Sequence, residues 1–539
     1  MNVLLIKPRE KNILVPNYNT YSPIGLGYIS AILKREGYCV DCLNMDLEYG
    51  TDQEIVAKRL DSRHYDVVGT GYISIGYWHV KVIVDVCKRH PSHPCVVLGG
   101  MILTCDPELM FNDLRPDFGV IGNGETTIVE LLQEMQGNQN YELVKGIIYK
   151  EYHRTIQTTS REQYRDLDSL PYPDYEGFGL RTQLDNNSPT TMSINDDRRT
   201  YYILGSRGCP FNCTFCFHID TYCERSLDNI FSEIEHAVEN YGITNITFSD
   251  ETFGFNRKRM LDFCDNITRI KQERNLVLDW NCFTRVECVD DEILKKLYDA
   301  GCTVLTYGFE SANQDVLRSM NKNITSEIIR NTIELTFKNR IGMNACFIFG
   351  DVKETDDTIK ETLGFYRKNC EGQTSLGWII PMPNSEIYLH CLREGIIKDK
   401  IGFIQGLDEK YGPGQLLRQE QESINFSRIP TKHRLLYSSL FLILHYRYRK
   451  TALPRNLRQT GDGFIFDACC PYCDKEHHYT RYSVSGHKHS YFFQVMCKSC
   501  RKRFFVRSWS GFILYQLIDK VPGMEKIVCI VNSKMNIIR

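Results

Sequence analysis

Cysteines 209, 213 and 216 stand at the spacing Cys-x3-Cys-x2-Cys inside SRGCPFNCTFCFH, residues 206–218. Iron and zinc sites usually take four protein thiolates. Three thiolates, on a loop expected directly after the first strand of a barrel, leave one metal position empty. An iron-sulfur cluster with one iron unsatisfied by protein can bind substrate or cofactor there, whereas a cluster closed by four cysteines can only pass electrons. Any one of these cysteines also reads as a small core residue.

A second group lies near the other end. Cys470-x2-Cys473 and Cys497-x2-Cys500, each near an expected hairpin turn, have the spacing of a four-thiolate zinc ribbon in which each knuckle supplies two ligands. Zinc is favoured, and a rubredoxin-like iron site, able to relay electrons to the cluster, suits the same thiolates. Cys469 adjoins the first pair as a spare or alternative ligand. His477, His478, His487 and His489 read as exposed hairpin residues, because four cysteines already close the site.

The elements that must position these groups follow from periodicity. Residues 1 to about 140 alternate short apolar strands (NVLLI, CVDCLN, DVVGTG, CVVLGG, DFGVIGNG) with helical patterns, which predicts a parallel, doubly wound Rossmann-like sheet whose ligand sits at the carboxyl ends of the strands. A polar, proline-bearing stretch over 151–195 reads as a linker. Six further strand-helix units over 196–400 predict a partial (β/α)6 barrel of the TIM type, with its chemistry at the C-terminal strand ends. A helical region over 401–462, a ribbon module over 463–510 and a tail over 511–539 complete an α/β chain whose first domain spans 1–150.

The 539 residues are too many for one ordinary core, and 42% hydrophobic against 24% charged residues is the profile of a folded protein. A formal net charge of −2 provides no general attraction to nucleic acid or acidic membranes. Twenty-two cysteines in short metal-like spacings, with no basic-then-apolar leader, point to a reducing cytosol rather than a disulfide framework. The longest apolar run, 435–444, falls short of the ~20 residues that span a bilayer and is expected as a buried helix. Residues 432–460 carry seven Lys or Arg and no acid, and RKRFFVR follows the last cysteines. Such runs are usually solvated faces, and binding of RNA is the less favoured reading.

The CxxxCxxC loop and the strand ends beyond it resemble those of the radical S-adenosylmethionine (SAM) enzymes. The resemblance implies a 4Fe-4S cluster on Cys209, Cys213 and Cys216, with SAM chelating the fourth iron and a low-potential donor such as flavodoxin or ferredoxin. Phe215 matches the aromatic that often lies beside the adenine. Asp250 and Glu251 in FSDETF resemble the acidic or polar pair near the SAM amino group. Arg285 in NCFTRV is placed to face the SAM carboxylate, and Glu310 and Ser311 in YGFES to meet ribose or amino-acid oxygens. Each has a plainer alternative: Asp250 as cap of a helix beginning at Glu251, Arg285 paired with a surface carboxylate, Glu310 as a solvated acid.

The first domain resembles the cobalamin-binding domain that precedes the barrel in one large radical SAM class, through SPIGLGYISAILKREGYCV, VVLGGMILTCDPE and VIGNGETTIVELL. The resemblance implies a cobalamin lined by Thr70–Ser74, Gly99–Thr104 and Gly122–Glu125, including Ser74, Gly99, Gly100, Thr104, Gly122, Gly124 and Glu125. No D-x-H-x-x-G motif is present, and the first histidine is His64, so no lower cobalt ligand of that kind is available. At Asn123 the family more often shows an acid.

The implied activity is methylation of an unactivated carbon, or of phosphorus, in a small metabolite: one SAM methylates reduced cobalt and a second yields the 5′-deoxyadenosyl radical that abstracts a substrate hydrogen. A non-methylating ring-forming or oxidising enzyme is the runner-up, followed by an RNA-modifying one. Substrate recognition is expected from poorly patterned residues at the barrel mouth, among them WIIPMPNS, and no catalytic acid or base is named.

Overall fold

The computed structural model describes residues 1–11, 13–411, 424–483, 485–487 and 490–513. His489, the side chain of His487, and all of the expected tail beyond residue 513 lie outside the described residues. The chain forms two compact units: 1–187 with 215–229 and 381–423, and 188–214 with 230–380 and 424–539.

The first unit is a seven-stranded sheet. Its strands are β1 Asn2–Lys7, β2 Cys39–Asn44, β3 Val67–Gly71, β4 Cys95–Gly99, β5 Phe118–Val120, β6 Ile147–Glu151 and β7 Arg154–Gln157, in the order β2-β1-β3-β4-β5-β6-β7. In β1, NVLLIK, every residue after the first is buried, as a strand covered on both faces requires. The first five strands are parallel and have the flavodoxin-like 2-1-3-4-5 order, with β6 and β7 added as an antiparallel hairpin. Helices on the two faces close two cores, one around Leu4, Ile6, Val68 and Leu98, the other around Val3, Leu5, Val67 and Val97. The alternation of β1 residues between these cores is the period of two expected of a strand. Ile404, on the helix Lys400–Tyr411, enters the first core, and the Trp78 indole donates to the Gln405 carbonyl at 3.0 Å. Residues 381–423 therefore group with this unit, whereas the sequence reading divided the chain at 400.

The second unit is built on six parallel strands: β8 Thr200–Ile203, β9 Asn245–Phe248, β10 Asp279–Thr284, β11 Cys302–Glu310, β12 Gly342–Phe349 and β13 Thr374–Trp378. They lie in chain order, with β8 and β13 at the two edges, so the barrel is partial. Side-chain caps start the intervening helices: Asn256 accepts from the Arg259 amide, Asp290 from Ile293, and Thr355 forms a full capping box with Thr358. Each such cap is worth ~1 kcal/mol. Helix Arg257–Glu273 is fastened to the sheet by edge-to-face packing of Phe263 on Trp280 and Phe248. Trp280 is fully buried and donates to the Ala300 carbonyl at 3.1 Å.

The apolar run 435–444 belongs to helix Thr431–Tyr448. Phe441, Ile443 and Leu444 are buried while Leu436 is exposed, so the helix is half-buried along one face rather than enclosed. It lies on β13: Trp378 donates to Ser438 at 2.7 Å and the Arg434 guanidinium covers the Trp378 ring. Among the described residues no helix is long and apolar enough to cross a membrane.

Two antiparallel sheets complete this unit. The strands β14 Thr451–Ala452, β15 Arg455–Thr460, β16 Gly463–Cys469, β17 Glu476–Tyr482, β18 Ser485–His487, β19 Ser490–Met496 and β20 Arg503–Arg507 pair as β14-β20-β19-β18 and β15-β16-β17. Their shared core holds Phe466, Tyr479, Phe493 and Val495. The basic residues of this region are divided, with Lys432, Lys450, Arg455 and Arg458 exposed and others taken into the fold. Arg434, Arg449, Arg501 and Arg503 are buried, Lys502 pairs with Glu371, and Arg455 with Glu476.

Candidate active site

The carboxyl ends of β8 to β11 carry the groups singled out above. Asp250, just past β9, is buried; its two oxygens accept from the Gly205 amide at 2.7 Å and the Ser206 hydroxyl at 2.6 Å. Burial pushes its carboxyl up to about 6, against the opposing pull of these hydrogen bonds. Asp250 thus ties the end of β9 to the start of the cysteine loop. It caps no helix, because the next one begins at Arg257 with Asn256 as its cap. Glu251 is exposed beside it.

Beyond β10, Arg285 is itself buried and pairs with the exposed Glu287, the surface carboxylate of its plainer alternative. Its Nη1 lies 3.6 Å from the Cys213 sulfur, its other nitrogens donate to Glu287, and its guanidinium stacks 3.7 Å from the centre of the Phe211 ring. Cys209 Sγ is 3.3 Å from the Thr252 hydroxyl. The loop is pinned from below, where the Thr214 amide donates to the Met320 carbonyl and Asn321 donates to the Asn212 carbonyl. Cys213 is buried, Cys216 exposed and Phe215 half-buried. Periodicity gave no hint of Phe211 or Glu287; only their sequence distances from Cys213 and Arg285 were available.

At the end of β11 the backbone turns left-handed at Glu310, φ +61°, after a bulge beside β12. The buried Glu310 accepts from Lys322 Nζ at 2.6 Å, so it is not a solvated strand-end acid. Gly308 makes room for this pair: a Cβ there would lie 2.1 Å from Glu310 Oε1 and 2.7 Å from Lys322 Nζ. Lys322 escaped the sequence reading, because a lysine between two asparagines in SMNKNI reads as a solvated turn, and only the structure shows it buried. Ser311 is buried, with its hydroxyl 3.2 Å from that of Thr362, and accepts from the Asn313 amide.

In the first unit the loops after β3, β4 and β5 form one rim. The Ile102 amide donates to the Tyr72 carbonyl, and Thr104 accepts from the Gly122 amide at 3.1 Å. Ser74 is buried and bonds the Cys105 thiol. Gly100 and Gly122 have φ of +78° and +76°, Gly124 precedes the helix Glu125–Gln136, and Glu125 is buried at its first turn. A Cβ at Gly122 would meet nothing within 4 Å, and one at Gly99 only Val120 at 3.9 Å. At Gly100 and Gly124 a Cβ would press on the Tyr72 carbonyl oxygen at 3.0 Å and Ile29 at 3.1 Å, so the open ledge is at Gly99 and Gly122, and it suits a broad flat ligand such as a corrin. His64 stands at the opposite end of the sheet, in the turn before β3, where its carbonyl accepts from Asn2. Asn123 donates to Asp220 at 3.2 Å and accepts from the Tyr164 amide at 2.9 Å. A carboxylate cannot do both, which accounts for an amide in this place.

The structure also brings Cys470, Cys473, Cys497 and Cys500 together, all sulfurs within 4.8 Å of one another. The loop cysteines do not belong to this group. Four thiolates so close suit a single shared ion, whereas a cluster gives each thiolate a separate iron and lets them stand further apart. The three cysteines of the loop, with the Arg285 guanidinium beside Cys213, fit the open cluster in donor chemistry.

Comparison with known proteins agrees. The Radical SAM superfamily matches residues 203–366, and the B12 binding domain residues 12–132. Over 402 residues the chain is 26% identical to an uncharacterized methyltransferase of Pyrococcus horikoshii, covering 73% of this chain and 84% of that protein. Over 413 residues it is 28% identical to an anaerobic magnesium-protoporphyrin IX monomethyl ester cyclase of Cereibacter sphaeroides, covering 71% of this chain and 62% of the cyclase. The fold is that of the radical SAM methyltransferase TsrM from Kitasatospora setae, solved with cobalamin and a 4Fe-4S cluster, at TM-score 0.59 and 17% identity over 73% of this chain and 75% of that one. The chain belongs to the radical SAM enzymes that carry an N-terminal cobalamin-binding domain.

Proposed function

We propose that this enzyme is a cobalamin-dependent radical SAM methyltransferase acting on an unactivated carbon, or on phosphorus, of a small molecule. The observation that carries the reading is the pairing in one chain of a three-thiolate loop, held by Arg285 and Asp250, with an open glycine rim on a flavodoxin-ordered sheet that offers no histidine at the end of β1. When bound, cluster and SAM supply hydrogen-abstracting power and cobalamin carries the methyl group.

The chain's residues would bind and orient. Cys209, Cys213 and Cys216 hold the cluster, while Asp250 fixes the base of the loop. Arg285, Glu251, Glu310, Ser311 and Phe215 surround SAM, and Lys322 holds Glu310 in place. Ser74, Gly99, Gly100, Thr104, Gly122, Gly124 and Glu125 line the cobalamin. A flavodoxin- or ferredoxin-type donor supplies electrons in a reducing compartment. Burial of Arg434, Arg449, Arg501 and Arg503 takes part of the basic surface away, and nucleic acid is the less favoured substrate.

Methyltransferases recur among the relatives: one from Streptomyces wedmorensis, 22% identical, methylates a cytidylyl-2-hydroxyethylphosphonate. The cyclase of Cereibacter sphaeroides supports a second reading, ring formation without methyl transfer. Anaerobic turnover with SAM, reductant and methylcobalamin separates the two. S-adenosylhomocysteine together with 5′-deoxyadenosine supports methyl transfer, and 5′-deoxyadenosine alone overturns it.

A further inference from the structure

We infer that the four C-terminal thiolates hold one zinc(II) ion as a structural clasp that fastens the ribbon to the floor of the barrel sheet, at the end of the strands remote from the chemistry. The inference stands independently of the proposed methyl transfer. A tetrahedral site with Zn–S of about 2.3 Å requires sulfurs about 3.8 Å apart. Cys470 and Cys500 are 3.7 Å apart, and Cys473 and Cys497 3.6 Å.

The two knuckles repeat each other. In the first, the Cys470 amide donates to the Lys475 carbonyl, the Asp474 amide donates back to Cys470, and Asp474 is left-handed. In the second, Cys497, Lys502 and Arg501 take the same three parts. Backbone amides point at the sulfurs as well: Tyr472 at Cys470, and Ser499 and Cys500 at Cys497, each at 3.4 Å. Amides directed at sulfur stabilise thiolates, the form in which cysteine binds metal.

Each knuckle also carries the side chain that docks the ribbon. Tyr472, between the two ligands of the first, donates to the Glu371 carbonyl at 3.1 Å and accepts from Gln373 at 3.1 Å. Arg501, next to the last ligand of the second, donates to the Cys302 carbonyl and stacks on Tyr298. Arg503 follows, donating to the Met343 and Gln373 carbonyls. Cys302, Met343 and Gln373 lie at the starts of β11, β12 and β13. Glu310 is eight residues further along β11, about 26 Å at about 3.3 Å per residue. A redox-active iron at the floor has no short path to the loop at the other end, whereas a redox-inert ion that closes both knuckles sets Tyr472 and Arg501 together.

The test uses the full chain, purified and reconstituted without oxygen. Metal analysis is expected to give one zinc per chain beside the cluster iron, and cobalt(II) in its place should show the absorption of a tetrahedral tetrathiolate. Stripping zinc with a chelator is expected to lower Tm while cluster iron and the change in its paramagnetic resonance on adding SAM persist. The double variant C473S/C500S should lose zinc alone. Should that variant not fold, Y472F and R501A keep all four thiolates and are expected to retain zinc with a lowered Tm. Iron in the site with a reversible one-electron couple overturns the inference, as does zinc content unchanged in C473S/C500S or a Tm indifferent to zinc removal.

Discussion

The ammonium of Lys322 lies 2.6 Å from Glu310 Oε1, both side chains buried, in a space that exists only because residue 308 has no side chain. A charge pair taken out of water is costly to break from one side, since the survivor is left buried and uncompensated. Lys322→Met and Glu310→Gln are each expected to destabilise by about 3–5 kcal/mol, and the double variant by less than their sum. Gly308→Ala should reproduce much of the single-variant loss while changing neither charge. Denaturant unfolding of the parent, the two single variants and the double variant, compared as a double-mutant cycle with Gly308→Ala measured beside them, checks this; additive effects would show that the pair is not coupled.

Arg285 stands against Cys213 with Glu287 and Phe211 holding it there. A positive charge beside a cluster ligand favours electron uptake, so Arg285→Gln is expected to lower the midpoint potential by tens of millivolts, about 59 mV being a tenfold change in a one-electron equilibrium. Arg285→Lys keeps the charge and should move it less. A redox titration followed by paramagnetic resonance reads both, and equal shifts would place the effect in packing rather than charge.

Glu354 is fully buried just beyond β12, where it accepts from Thr358 at 2.5 Å, and burial pushes its carboxyl from 4.5 up to about 7. The folded state therefore holds this proton at pH values where the unfolded chain has released it. The protonated group's contribution is complete below about 4.5, is lost as pH rises to about 7, and changes no further above that. With about 1.4 kcal/mol per pKa unit, the whole interval is worth at most about 3 kcal/mol. Asp250, raised to about 6, acts in the same direction over a lower range. Tm measured across this interval should fall less steeply in Glu354→Gln than in the parent chain, and parallel curves would refute the assignment.

Asn123 joins Asp220 to the Tyr164 backbone through one amide. Asn123→Asp removes the donor and sets two carboxylates against each other, at an expected cost of about 1–3 kcal/mol. The loss should shrink as pH falls and the acids protonate, which thermal melts at two pH values will show.

Much of the architecture was legible in local sequence. Runs such as NVLLIK and CVVLG read as strands buried on both faces, the habit of a parallel sheet, and the cysteine spacings at 209–216 and 470–500 stand out in the sequence itself. The partial barrel followed from six such runs. That the helix carrying Ile404 packs into the first core was not legible, because Ile404 is apolar on a weakly patterned helix and nothing local says which core it enters.

What tertiary structure decided is the partner of each charge. Asp250, Arg285 and Glu310 sit at strand ends as expected, and each is buried against a partner the sequence did not name: Ser206, Cys213 and Lys322, residues 44, 72 and 12 positions away. Arg501 and Arg503 of RKRFFVR, read from composition as a basic surface, reach carbonyls at the starts of β11 to β13. Hydrophobic periodicity is a property of neighbours in the chain, and so the sequence determines which face of an element is buried. The fate of a charge depends on what the fold brings within about 3 Å of it, and that is set only when distant strands pair.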